Sequence, residues 1–157
     1  MANILHGSAV AIGGNGVLLC GPSGSGKSDL ALRLIDRGAK LICDDILHIE
    51  HSNSFPLLAC APNIAGKIEV RGIGICTVEF LPSAPLRLIV QLTQNVERMP
   101  PAHQSINIEG FSVPMLKLDP FQTSSVLKVE WALRSVIDAG LRPVANTVAA
   151  PSESVMK

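Results

Sequence analysis

Eight consecutive residues carry the clearest chemistry in this chain. Gly21-Pro22-Ser23-Gly24-Ser25-Gly26-Lys27-Ser28 fits the P-loop pattern G-x-x-x-x-G-K-[ST] at every required position. Glycines let backbone N–H groups turn inward onto a phosphate chain, and Lys27 adds positive charge near the β- and γ-phosphates. The Ser28 hydroxyl can ligate Mg²⁺. An apolar run, Val17-Leu18-Leu19-Cys20, precedes the loop, and Ser28-Asp29-Leu30-Ala31-Leu32-Arg33-Leu34-Ile35 reads as a helix after it. That helix would aim its N-terminal dipole at the anion.

A phosphate site that transfers phosphoryl groups also needs acids. Asp44-Asp45 ends the short apolar run Lys40-Leu41-Ile42-Cys43, which begins soon after the P-loop helix. One carboxylate there can hold Mg²⁺ through water while the other orients or deprotonates a nucleophile. Glu69 and Arg71 flank Val70. On an extended strand they would share a face, one toward metal and one toward phosphate. A surface ion pair is the plainer reading of that pair. His6 precedes the first strand, His48 and His51 read as solvated, and His103 falls in a polar loop; none has metal-ligand spacing to another.

These residues must be placed by a strand-rich scaffold. Strands are expected at Ser8 to Ile12 and Val17 to Cys20, joined by the turn Gly13-Gly14-Asn15-Gly16 into a hairpin. Further strands are expected at Lys40 to Cys43, Ile46 to Glu50, Leu57 to Ala61, Cys76 to Phe80 and Leu86 to Leu92. Two alternating runs surround Pro114, and a polar loop covers Asn95 to Gln104. Only two helices are convincing. One ends near Arg37 with Gly38 as its stop; the other spans Thr123 to Ala139, with Thr123 or Ser124 as cap and Gly140 as stop. A doubly wound enzyme would alternate strand and helix throughout. The expected class is therefore α/β, a P-loop domain on a strand-rich mixed sheet with few helices.

The 157 residues suit one domain, over residues 1–150, with a frayed tail at 151–157. Hydrophobic residues at 47% permit a real core, and aromatics at 3% make it aliphatic. Zero formal net charge and the lack of a basic stripe argue against nucleic-acid binding. Neither a signal peptide nor a run of about 18 apolar residues is present, so no membrane role is expected. Cys20, Cys43, Cys60 and Cys76 are widely spaced, which reads as free thiols in a reduced, cytoplasmic protein.

Taken together, the P-loop, Asp44-Asp45 and Glu69-Val70-Arg71-Gly72-Ile73-Gly74-Ile75 resemble the C-terminal catalytic domain of HPr kinase/phosphorylase. The resemblance covers roughly His6 to Ala149. It implies a fold related to phosphoenolpyruvate carboxykinase and ATP-dependent phosphorylation of a serine in HPr, the phosphocarrier of the sugar phosphotransferase system. By resemblance, Lys27 and the loop from Gly21 to Ser28 hold ATP, Ser28 and Glu69 hold Mg²⁺, and Asp44 is the general base supported by Asp45. His6 tunes Asp44, Arg71 organises the metal and phosphate side, and the assembly is a homo-oligomer, a hexamer in known members. The expectation is a form without the N-terminal domain of longer members, resembling the short alphaproteobacterial form. Where the family carries V-R-P-G-R-N, this chain has Leu141-Arg142-Pro143-Val144-Ala145-Asn146. Its second arginine is missing, so a kinase with little phosphorylase activity is expected. A small-molecule kinase on the same scaffold and a non-catalytic ATP sensor are the alternatives.

Overall fold

The computed structural model describes residues 3–52, 55–101 and 103–146. The tail expected at 151–157 lies outside them. In chain order the elements are β1 (Asn3–His6), β2 (Ser8–Ile12), β3 (Asn15–Cys20), α1 (Lys27–Asp36), β4 (Lys40–Cys43), β5 (Ile46–Ser52) and β6 (Phe55–Ala59). After a short 3-10 turn at Pro62–Ile64 come β7 (Lys67–Val70), β8 (Gly74–Thr77), β9 (Ser83–Leu92), β10 (Ser105–Ile108), β11 (Phe111–Leu118), α2 (Ser125–Asp138) and β12 (Val144–Ala145).

The main sheet runs β1-β5-β6-β9-β3-β2-β4. Its pivot is β9, a ten-residue strand. One edge pairs parallel with β3. Along the other edge, the first residues pair antiparallel with β6 and the last pair parallel with β11. This branching makes the sheet mixed. The expected hairpin forms, with Ser8 opposite Leu19 and Ile12 opposite Asn15.

Alternation along the strands loads both faces with apolar side chains. Val17, Leu19, Leu88 and Val90 pack with Leu30 and Leu34 of α1 and Val129 and Leu133 of α2. Leu18 and Ile89, one residue out of phase, pack on the opposite side with Leu47, Leu58, Phe111 and Val113. Both helices thus cover one face, while the sheet folds over itself on the other. An Arg37–Glu130 ion pair at 2.9 Å links the two helices at the surface.

Several local expectations are corrected by the fold. Cys43 and Cys60 form a disulfide, with Cα atoms 5.3 Å apart, so they are not free thiols; Cys20 and Cys76 are free. The segment 79–82 brings the pair together: Leu41 N–H donates to the Glu79 carbonyl, Leu81 N–H to Leu41, and Cys60 N–H to Pro82. Burial pushes the Cys20 thiol up to about 11 against the lowering influence of Lys27. Alkylation of unfolded, unreduced protein is expected to modify two cysteines and, after reduction, four; intact mass reads the difference.

The strand expected at Cys76 to Phe80 starts and ends earlier, as β8, which pairs with β7 in a separate two-stranded sheet. The two runs around Pro114 are one strand, β11. Ser124 occupies the N-cap of α2 without a side-chain cap bond. The Ser125 hydroxyl instead donates to the Asp119 carbonyl at 2.6 Å. His48 is half-buried, with Nδ1 enclosed and unpartnered, rather than solvated. Among the described residues no helix is long and apolar enough to cross a membrane.

Candidate active site

The P-loop leaves the C-terminal end of β3, beside the C-terminal ends of β9 and β11. Ser25 N–H donates to the Pro22 carbonyl at 3.0 Å, closing a tight turn. Gly26 takes the N-cap position of α1 at φ 98°, a left-handed conformation that favours glycine. Gly21 is required for a different reason. A Cβ there would lie 2.5 Å from the Ser25 hydroxyl oxygen and 3.1 Å from Ser25 Cβ. Gly21→Ala is therefore expected to open the loop and weaken ATP binding about tenfold, about 1.4 kcal/mol, with the fold retained. Calorimetric titration and circular dichroism check the two halves.

Lys27 Nζ donates to the Gly21 carbonyl at 2.7 Å and to the Pro22 carbonyl at 3.0 Å. The ammonium thus lies across the loop that it would share with a phosphate. The Ser25 hydroxyl is buried without a partner, leaving one loop donor unmet in the free protein.

Asp44 is the hub. Its half-buried carboxylate takes hydroxyl hydrogen bonds from Ser8 at 2.7 Å and Ser28 at 2.8 Å, both on Oδ1. Glu69 N–H donates to Oδ2 at 3.2 Å. Three distant segments thus meet at one side chain: the start of β2, the start of α1 and the hairpin β7–β8. The Ser28 hydroxyl is one oxygen donor suited to Mg²⁺, and the exposed Glu69 carboxylate, on the hairpin tied to Asp44 through its backbone, would supply a second beside substrate phosphates.

Asp45 adopts φ 75°, an uncommon value for a non-glycine residue. It turns the chain between β4 and β5, and its carbonyl accepts from Gly7 N–H at 3.0 Å. Its carboxylate is exposed. His6 is exposed at the end of β1, opposite Ile46, so the ladder brings it to the same strand end as Asp45. The shared-face expectation for Glu69 and Arg71 is corrected: β7 ends at Val70 and Arg71 lies in the turn beyond it. In this structure the Glu69 backbone reaches Asp44, while both the Glu69 and Arg71 side chains are exposed. Arg142 is exposed near β12, which pairs with the first residues of β11, the end of that strand away from the P-loop.

Ser8 was not among the residues singled out by motif. Its only sequence signal is a hydroxyl opening the otherwise apolar run Ser8-Ala9-Val10-Ala11-Ile12.

Known proteins resemble this chain in sequence and in fold. The family model described as HPr Serine kinase C-terminal domain matches residues 1–138. The chain is 39% identical over 124 residues to an HPr kinase/phosphorylase of Caldicellulosiruptor bescii, covering 71% of this chain and 40% of the relative. It is 38% identical over 138 residues to that of Limosilactobacillus reuteri, covering 80% and 43%. Against the protein of the same name from Cupriavidus metallidurans it is 32% identical over 146 residues, covering 85% and 45%. The chain thus spans less than half the length of these curated relatives. The HPr(Ser) kinase/phosphatase structure from Coxiella burnetii superposes with a TM-score of 0.77 at 28% identity, covering 88% of this chain and 98% of that one. With its family match over residues 1–138 and a shared strand-rich fold, the chain belongs to the HPr Serine kinase C-terminal domain family.

Proposed function

We propose that this chain is an ATP-dependent serine kinase acting on HPr or an HPr-like phosphocarrier. The observation that carries this reading is the Asp44 carboxylate, joined by a hydrogen bond to the P-loop hydroxyl of Ser28. Mg²⁺ and ATP supply the phosphoryl group and the neutralising charge on its oxygens. The P-loop amides and Lys27 bind and orient the phosphates. Ser28 and Glu69 would hold the cation. Asp44 accepts the proton of the attacking serine as the new O–P bond forms and ADP leaves with the old bridging oxygen. Asp45 and His6 border this proton acceptor, and Arg71 contributes positive charge from the turn.

The acceptor side is open. Asp45, Glu69, Arg71, Ile73 and Ile75 are all exposed, which supports a protein rather than a metabolite as acceptor. Exposed apolar side chains, among them Ile73, Ile75 and Trp131, also support assembly into a homo-oligomer. Light scattering checks this as a multiple of the 16.6 kDa chain mass.

Incubation with Mg-ATP and HPr is expected to yield phosphoserine on HPr, read by mass spectrometry. Failure with every phosphocarrier of the host would refute the reading. The reverse reaction is expected to be weak, because Ala145 stands where the family carries its second arginine. Phosphoserine-HPr with inorganic phosphate should then release little pyrophosphate, and rapid release would contradict this half.

A further inference from the structure

Only two polar residues, Ser8 and Ser125, are fully buried among the described residues. The Ser125 hydroxyl is satisfied within its own turn. Ser8 is different. It lies at 0% exposure on β2, next to Ala9 and Val10 in a run that is otherwise apolar core. A hydroxyl buried there costs free energy unless it is paired. Its hydrogen bond goes to Asp44 Oδ1, 36 residues away, at 2.7 Å.

The other two donors to Asp44 sit on segments that must also meet ligands. Ser28 belongs to the P-loop, and the Glu69 N–H belongs to an exposed hairpin. Ser8 alone approaches from an interior strand of the sheet, flanked by β3 and β4. Its contact also falls on the oxygen that Ser28 uses. Oδ2 is left with one longer bond, at 3.2 Å, and spare acceptor capacity.

We propose that Ser8 is a positioning residue: its hydroxyl fixes the Asp44 carboxylate so that Oδ2 faces the acceptor serine throughout the catalytic cycle. This rests on the reading of Asp44 as the proton acceptor. Reactions of this kind are sensitive to misplacement on the scale of an ångström.

The test compares three variants. Ser8→Ala removes the hydroxyl. Ser8→Thr and Ser8→Val have nearly the same shape and differ in the hydroxyl. Ser8→Ala and Ser8→Val are expected to lower kcat for HPr phosphorylation by about tenfold to a hundredfold, with KM for ATP and calorimetric Mg-ATP affinity little changed. Ser8→Thr should recover most of the rate. Equal rates for Thr and Val overturn the proposal, as does a parallel loss of kcat, nucleotide affinity and thermal midpoint.

A second readout needs no acceptor. The carboxyl ¹³C resonance of Asp44 in nucleotide-free protein at neutral pH should move in Ser8→Ala and Ser8→Val and hold in Ser8→Thr. An unmoved resonance in all three overturns the positioning role. A wild-type protein inert toward every phosphocarrier refutes the kinase reading instead, while this resonance still judges Ser8.

Discussion

Asp44→Asn is expected to lower phosphoryl transfer to HPr by about 10²- to 10⁴-fold, the usual contribution of a positioned general base. The amide removes the proton acceptor. It also disturbs the site in a defined way. The Asn carbonyl can still accept the Ser8 and Ser28 hydroxyls in place of Oδ1, but its NH₂ must then face the Glu69 N–H that Oδ2 now accepts. Two donors would oppose each other, and the β7–β8 hairpin would lose its tie to the P-loop. A stability loss of about 1 kcal/mol follows from that broken bond. ATP affinity should change much less than the rate, because the phosphate-gripping loop is untouched. Single-turnover transfer, calorimetric ATP binding and thermal denaturation separate these effects. Transfer surviving in Asp44→Asn would remove Asp44 as the base.

Lys27→Ala should act in the opposite order, with binding lost first. The ammonium bridges the Gly21 and Pro22 carbonyls in the free protein, holding the loop's first turn closed. Removing it deletes the loop's only cationic side chain. ATP affinity is expected to fall about 10- to 100-fold, roughly 1.4–2.8 kcal/mol. The freed carbonyls are partly exposed and can take water, so the thermal midpoint should hold. Calorimetry with ATP against ADP sharpens the test. Lys27 is expected to matter more for ATP, since its charge serves the β- and γ-phosphates. Equal losses for both nucleotides would place the ammonium elsewhere on the phosphate chain.

Much of the site was legible along the chain because its parts are contiguous. The P-loop is eight adjacent residues, and its flanking strand and helix follow from an apolar run and helical spacing. Asp44 and Asp45 announce themselves at the end of β4. The hairpin β2–β3, the strand β9 and the helices α1 and α2 were similarly readable, since turn glycines and apolar periodicity act over a few residues. Arg71 was misplaced because extension through Glu69-Val70-Arg71 was assumed, whereas the chain turns just after Val70. The strand β1 was missed because it is only four residues long and gains its ladder from a distant partner, β5; β10, equally short, pairs with β11 across the two-residue turn Glu109-Gly110, and its brief run among polar residues gave little apolar signal.

By itself, then, the sequence determined that a phosphate-gripping loop sits between a strand and a helix, that two acids follow a short strand, and that the scaffold is strand-rich. These are consequences of local backbone freedom, apolar period and side-chain chemistry. Only the tertiary structure decided which residues converge. It paired Ser8 with Asp44 and Cys43 with Cys60, and it brought the Glu69 amide to Asp44 across 25 positions. The physical reason is the branching of β9. By pairing with β3 along one edge, and with β6 and then β11 along the other, it sets the strand order. Strand order, rather than any residue's neighbours in the chain, sets which side chains meet.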